Sequence, residues 1–161
     1  MSENLGVTIV SDTVSLPLGG DAVSLEGGSV GHDVPELEFV RPLPGFPELS
    51  RYVLVRLAAE PAPGDELYEL RSVERPEVRF LVAVPTVFFP AYTFELDEPS
   101  RAELSLRDAA EALVLVILTI GDHLASTTAN LLAPVVINAR TRSASQVILS
   151  GTDWPVRAAV V

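Results

Sequence analysis

The chain has 161 residues, 48% of them hydrophobic, which is enough for one domain with a buried core and argues against intrinsic disorder. Cysteine is absent, so disulfide bonds and thiol chemistry are excluded. The 22 acidic residues face 11 arginines and no lysine, and this net charge of −11 opposes direct binding to the phosphates of nucleic acid. The charge favours a basic protein partner, or it serves only to keep the domain soluble.

The first 33 residues show the weakest pattern of the chain. Val7–Val10 is a candidate strand, and a glycine-rich stretch follows at 19–31. That stretch is not followed by the lysine that a phosphate-binding loop needs. No basic patch precedes an apolar core at the start of the chain, so we expect no signal peptide and a cytosolic protein. We predict that residues 1–33 form a flexible or diverged segment that can contribute edge strands, and that residues 34–161 form the folded domain.

Short apolar strands follow one another along the rest of the chain. The predicted strands are Leu37–Val40, Tyr52–Leu57, Leu67–Arg71, Val78–Val84 and Leu113–Thr119. The fourth of them is apolar on both faces, which is typical of a central strand. The apolar run 112–120 would be about 14 Å long as a helix, against roughly 30 Å of bilayer hydrocarbon. It is therefore predicted as a buried strand and not as a membrane anchor.

Proline and glycine mark the connections between these strands. Three prolines surround Gly45 in the stiff loop 41–47, which presents Phe46 either to the core or to a partner. Asp97–Leu104 has the features of a short helix, with an N-cap candidate, acids in the first turn and an early proline. Ser105 with Asp108 is a weaker start for another helical turn. Many short strands with so few helical turns predict an all-β barrel or sandwich, mostly antiparallel.

The segment 128–150 has the pattern of a hairpin. Pro134 suits the start of a strand, and the β-branched residues 135–137 continue it until Asn138. A polar connection at 139–145 leads to a second predicted strand, Gln146–Ser150. Val135 and Ile137 share one face of the first strand, since side chains alternate along it. The residues expected to close the same core are Leu132, Val147 and Leu149.

Several short motifs occur along the chain in an order that matches one known family. They are Leu43-Pro-Gly-Phe46 with Leu49; Leu70 with Ser72 and Pro76; Phe80-Leu-Val82, Pro85, Phe89-Pro90 and Tyr92; and Thr128, Asn130-Leu-Leu-Ala-Pro134, Ile137-Asn138 and Gln146-Val-Ile-Leu149. Together they resemble the flagellar assembly factor FliW family, from about residue 37 to residue 161. The chain departs from the family at Arg71, where glutamine is usual, and at Val84, where an acid or amide often precedes the proline. Residues 1–20 look like additional or diverged material.

The resemblance implies a small, mostly antiparallel β-barrel with one or two short helical turns, so that residues 34–161 would be a FliW-like barrel domain. It also implies a cytoplasmic, monomeric bacterial binding protein without catalysis and without a cofactor. Proteins of this family hold flagellin subunits and, when released, bind the translational regulator CsrA, which then no longer represses the flagellin message. The expected partners are therefore flagellin and CsrA, with no direct nucleic acid and no membrane.

Three residues are candidates for contact with a partner. Asn130 and Gln146 are polar groups at the ends of the two hairpin strands, where loops present side chains to partners. Phe46 is a candidate aromatic anchor. The alternative role of Asn130 is that of a turn residue bonded to its own backbone. The alternative for Phe46 is burial in the barrel.

Two other functional classes fit a β-fold. A metal-dependent enzyme of the jelly-roll type needs two or more histidines with a carboxylate, and this chain has only His32 and His123, both in predicted loops. The paired carboxylates at 65–66 and 97–98 lie at a turn and at a helix start, where capping is their ordinary role. No serine lies in a nucleophile-elbow pattern. The other alternative is a purely structural β-domain.

Overall fold

The computed structural model describes residues 7–10, 36–56, 67–149 and 151–160. The strands in these ranges are β1 (Val7–Val10), β2 (Glu36–Phe39), β3 (Arg51–Arg56), β4 (Leu67–Ser72), β5 (Arg79–Ala83), β6 (Thr93–Leu96), β7 (Ala112–Thr119), β8 (Thr128–Ala129), β9 (Val135–Asn138), β10 (Ser143–Gln146) and β11 (Ala158–Ala159). The α-helix α1 is Glu98–Glu103, and 3-10 turns lie at Pro85–Val87, Ala109–Glu111 and Leu124–Ser126. The strands predicted before residue 138 are confirmed, with ends within one residue of the prediction.

Seven of these strands close into a barrel. The order is β7-β5-β4-β3-β2-β10-β9, and β9 pairs back onto β7. The eight-residue strand β7 makes closure possible because Ala112–Leu115 pairs with β9 while Val116–Leu118 pairs with β5. All pairings in the ring are antiparallel except that of β10 with β2, which is parallel. The predicted all-β, mostly antiparallel barrel is therefore confirmed.

Two hydrophobic clusters lie on the two faces of the barrel wall. The interior cluster includes Leu37, Leu54, Leu70, Val82, Leu113, Leu115, Val135, Ile137 and Ala144. The outer cluster includes Val114, Val116 and Val136, covered by Phe94 and Leu96 of β6, Leu104 and Leu106 after α1, and Val147, Leu149 and Ala158 near the C-terminus. Strands β5, β7 and β9 are apolar on both faces because they separate the two clusters.

The predicted single core around the hairpin is wrong in part. Val135 and Ile137 lie in the interior cluster, as expected. Val147 and Leu149 belong instead to the outer cluster with Val136, and Leu132 packs against that cluster. Side chains alternate between the two faces of a strand. Ala144 faces the barrel interior, so Val147, three residues later, faces outward.

The second strand of the hairpin is also placed differently from the prediction. β10 is Ser143–Gln146 and not 146–150, so the connection is 139–142 and not 139–145. The turn is tight because Arg142 adopts a left-handed backbone with φ of 67° and its N–H donates to the Asn138 carbonyl at 2.6 Å. Residues 147–149 remain extended beside 132–134, with hydrogen bonds of 2.9 and 2.8 Å.

The predicted helix start is confirmed. The Asp97 carboxylate accepts a hydrogen bond from the Ser100 N–H at 2.9 Å, the ordinary geometry of an N-cap. Asp108 caps the following 3-10 turn by accepting from the Ala110 N–H at 3.0 Å. Over the described residues, no helix has both the length and the apolar character required to cross a bilayer.

Asn138 joins this helical region to the hairpin and is fully buried. Its Nδ2 donates to the carbonyls of Leu104 and Ser105, at 2.9 and 3.2 Å. Its Oδ1 accepts from the backbone N–H groups of Arg140 and Thr141, at 2.8 and 3.1 Å. The sequence pattern marks Asn138 only as the end of a strand, because the partners of its amide are more than 30 residues away or lie in the turn it closes.

At the start of the chain, β1 pairs antiparallel with β6, from Val7 opposite Leu96 to Val10 opposite Thr93. The edge strand predicted at 7–10 is thus present in the structure. The glycine-rich stretch at 19–31, His32 and the carboxylate pair at 65–66 lie outside the described residues. The boundary between residues 33 and 34 stays a prediction.

Candidate functional site: the barrel mouth

One end of the barrel is open and lined by side chains that continue the interior faces of three strands. Ala144 on β10 faces the interior, and Gln146 follows it on the same face. Ile117 on β7 and Phe80 on β5 pack against the same interior cluster. These three positions lie at the same end because β7 and β10 run in one direction and β5 in the other.

This end of the barrel contains a cleft of about 380 Å³, which we call the mouth. Its lining residues are Leu43, Pro44, Phe80, Ile117, Asn130, Ala133, Gln146 and Ile148. Ile148 is 67% exposed, the largest exposure of the bulky aliphatic side chains in the described part of the chain. The mouth is thus an apolar surface with two carboxamides on its rim.

The loop after β2 forms one wall of the mouth. Pro44 and Gly45 occupy the centre of a β-turn in which the Phe46 N–H donates to the Leu43 carbonyl at 3.0 Å. Gly45 has φ of 90°, the left-handed conformation that the third position of a type II turn requires and that glycine adopts without strain. Leu43 is buried, whereas Phe46 is half-buried and packs edge-on against Phe80, with ring centroids 5.5 Å apart. Phe46 therefore supports the aromatic lining of the mouth from the side.

The two predicted polar residues meet at one backbone position. The Oδ1 of Asn130 accepts from the Ala133 N–H at 3.0 Å, and the Nε2 of Gln146 donates to the Ala133 carbonyl at 3.1 Å. These bonds fix the orientation of both amides, since only an oxygen can accept and only a nitrogen can donate. The Nδ2 of Asn130 and the Oε1 of Gln146 make no hydrogen bond to any described residue. The mouth thus offers one fixed donor group and one fixed acceptor group.

Two aromatic side chains, the buried Tyr92 and the half-buried Trp154, hold the segment that carries Asn130. The Tyr92 hydroxyl donates to the Leu131 carbonyl at 2.7 Å, and burial raises the pKa of Tyr92 well above its usual range, so the donor stays protonated. Trp154 packs edge-on against Tyr92 at 4.8 Å and donates to the Thr93 carbonyl at 3.0 Å. The position of Asn130 is therefore set by packing against the outer cluster.

The mouth carries no ionisable side chain in its lining. The loop after β4 does carry charges, and these pair with neighbouring side chains. Arg75 lies 3.8 Å from Glu48 and 3.7 Å from Glu77, and Arg51 lies 4.0 Å from Glu74. A charged group buried in this cleft would lose hydration without gaining an ion pair, so the mouth favours an uncharged occupant.

The alternative of a metal-dependent enzyme has no candidate metal site among the described residues. Across the residues that the structure describes, no group of three or more histidine, aspartate or glutamate side chains could hold a metal ion. His123 is exposed in the loop after β7, as the sequence predicts. Asp97 is used as a helix cap.

Comparison with known proteins gives a consistent result. The FliW protein family model matches residues 29–160. The chain is similar to the flagellar assembly factor FliW of Geobacillus kaustophilus, with 36% identity over 126 residues, 78% of this chain and 84% of that protein. It is also similar to the flagellar assembly factor FliW of Bacillus licheniformis, with 40% identity over 116 residues, 72% of this chain and 78% of that protein.

The fold gives the same relationship. A crystal structure of the flagellar assembly factor FliW superimposes with a TM-score of 0.71 and 33% identity, over 78% of this chain and 84% of that one. The family model spans every strand of the barrel that builds the mouth. The chain therefore belongs to the FliW family of flagellar assembly factors.

Proposed function

We propose that this protein is a non-enzymatic, monomeric flagellar assembly factor of the cytoplasm that binds flagellin. When free of flagellin, it binds the translational regulator CsrA and relieves the repression of flagellin translation. The observation that carries the proposal is the barrel mouth, where an apolar lining surrounds two carboxamides fixed on Ala133. An apolar cleft with a few fixed polar groups is the usual form of a specific binding site.

The mouth suits a protein segment better than a charged metabolite. Its lining consists of aliphatic and aromatic side chains with one free amide donor group and one free amide acceptor group. A peptide presents the same combination, with apolar side chains next to a backbone N–H and C=O. Family membership supports flagellin as the source of that segment.

The charge distribution supports the second partner. Eight of the 22 acids and none of the 11 arginines lie in residues 1–35 and 57–66. An RNA-binding regulator such as CsrA must offer a basic surface, and segments of unbalanced negative charge attract such a surface. Once bound, they repel RNA phosphates over roughly one Debye length, about 8 Å at physiological salt.

Calorimetry with purified partners tests the proposal. We expect this protein to bind flagellin and CsrA at micromolar concentration or tighter, and excess flagellin to displace CsrA. Absence of binding to flagellin would overturn the proposal. Metal analysis of the same preparation addresses the enzymatic alternative, since stoichiometric iron, zinc or manganese would argue against a purely binding role.

A further inference from the structure

The wall of the barrel has an open edge beside the mouth. β2 and β10 pair only through Glu38 with Ser143 and Phe39 with Ala144, and the last bond runs from the Val40 N–H to the Ala144 carbonyl at 2.9 Å. After Val40 the chain turns into the loop 41–47. Beyond Ala144, the side of the extended chain that faced β2 therefore has no neighbouring strand.

The opposite side of the same segment stays paired. The N–H groups of Val147 and Leu149 donate to the carbonyls of Pro134 and Leu132. In an extended chain the N–H and C=O of one residue point to the same side, and the side alternates from residue to residue. The backbone groups of Ile148 therefore point towards the side that β2 has left. They make no hydrogen bond to any of the residues that the structure describes.

We infer that the mouth takes its partner by strand addition, and that the occupant is an extended, uncharged segment of flagellin paired with the backbone of Ile148. This inference rests on the proposed function and names the mode of binding. An unpaired strand edge is a template for another strand, and strand addition obtains affinity from backbone hydrogen bonds and specificity from alternate side chains. Those alternate side chains enter the cleft between Leu43, Phe80 and Ile117.

The surrounding chemistry selects this occupant over a helix or a charged segment. A helix has already satisfied its backbone groups internally and cannot pair with Ile148. A charged side chain would meet no counter-ion in the lining of the mouth. The free amide groups of Asn130 and Gln146 complete the site by binding one further backbone or carboxamide group of the segment.

Amide hydrogen exchange followed by NMR tests the backbone contact directly. In the full chain saturated with flagellin, we expect the Ile148 N–H to exchange at least about tenfold more slowly than in the free protein. If flagellin binds and the Ile148 N–H exchanges as before, the inference is wrong while the proposed function stands. If flagellin does not bind at all, both fail.

Substitutions provide the second measurement. We expect Ile148→Ser to weaken flagellin binding about tenfold, and Ile148→Pro, which also removes the N–H, to weaken it about tenfold further. Val156→Ser is the matched control because Val156 is 52% exposed and lies outside the mouth; it should bind as the wild type does. Equal binding by all these variants would overturn the inference. A dimer in the free protein with a protected Ile148 N–H would also overturn it, since a second copy would then occupy the edge.

Discussion

Asn130 has the turn role that sequence reasoning left open, and both Asn130 and Gln146 line the mouth that we propose as the binding site. Asn130 is the turn residue that its position predicts, because its side-chain oxygen holds the Ala133 N–H. The same amide lines the mouth, as does that of Gln146. A single contact to Ala133 uses only part of the hydrogen-bonding capacity of either group, and the remainder faces the cleft.

A comparison of four alanine substitutions separates the two roles. Ile137→Ala should cost about 2–5 kcal/mol of stability, because Ile137 is fully buried in the barrel interior. Asn130→Ala and Gln146→Ala each lose one hydrogen bond to Ala133, about 0.5–1.5 kcal/mol, and should weaken flagellin binding more than they lower the melting temperature. Phe46→Ala should reduce both the flagellin affinity and the stability, since the Phe46 ring packs against Phe80 in the lining of the mouth. Urea unfolding and calorimetry measure the two effects. If the two amide variants unfold as readily as Ile137→Ala, the residues are structural only.

A residue-scale prediction also follows from Asn138. Asn138→Asp keeps the oxygen that accepts from Arg140 and Thr141 but loses the donor to Leu104 and Ser105, and it buries a charge. We expect a loss of about 3 kcal/mol or more at neutral pH, since an unpaired buried charge is costly. Urea unfolding measures it, and Asp122→Asn in an exposed loop serves as the control. A variant as stable as the wild type would show that the link between α1 and the hairpin is dispensable.

At the scale of elements, the hairpin shows where local patterns stop being informative. Ser143, Ala144 and Ser145 lack the β-branched and aromatic side chains that mark strands, so sequence reasoning assigns them to the connection. They form β10 because Ala144 must fit inside the barrel and because strand pairing on both sides fixes the backbone. Tertiary context overrides local propensity here.

The turn of this hairpin offers a stabilising substitution. Arg142 has φ of 67°, a conformation that costs a side-chain-bearing residue about 1–2 kcal/mol, whereas glycine adopts it freely. Glycine loses more conformational entropy on folding than arginine does, which offsets part of this gain. We therefore expect Arg142→Gly to raise stability by about 0.5–1 kcal/mol. Gly45→Ala is the converse, since a Cβ there meets no atom within 4 Å and only the backbone strain is added, about 1 kcal/mol. Urea unfolding measures the stability of both variants. A destabilised Arg142→Gly or a stabilised Gly45→Ala would contradict this prediction.

The junction between the 3-10 turn and the hairpin predicts a pH dependence. Hydrogen bonds from the Arg107 N–H and the Arg140 side chain lower the pKa of Glu111 from 4.5 to about 2. The unfolded chain therefore binds this proton at a higher pH than the folded chain does. The stabilisation is complete above about pH 4.5 and is lost as the pH falls towards 2.

Glu111→Gln tests this dependence. The variant should lose stability near neutral pH, and its stability should fall less than that of the wild type between about pH 4.5 and 2. Urea unfolding across this range is the measurement. The argument fails if the variant keeps the wild-type dependence on pH.

At the scale of the whole molecule, sequence reasoning predicts the kind of fold better than its closure. The two apolar faces of 78–84 predict a central strand, but the sequence predicts one core around the hairpin where the structure has two. Closure depends on the parallel contact of β10 with β2, and no local pattern encodes that pairing. The mouth has the same origin, because Leu43, Ile117 and Gln146 are distant in sequence and meet only through strand direction.

The uneven distribution of acids along the sequence gives the last prediction. The segment 57–66 contains three acids, Glu60, Asp65 and Glu66, and no arginine. Neutralising all three with Gln, Asn and Gln should lower the association rate with CsrA by about tenfold at low salt and reduce the salt dependence of that rate. Flagellin affinity should not change, because the mouth is uncharged. The matched control removes three acids elsewhere in the chain, with Glu48→Gln, Glu77→Gln and Asp122→Asn. Stopped-flow association measures both triple variants, and equal effects on CsrA would show that only the net charge matters and not its position.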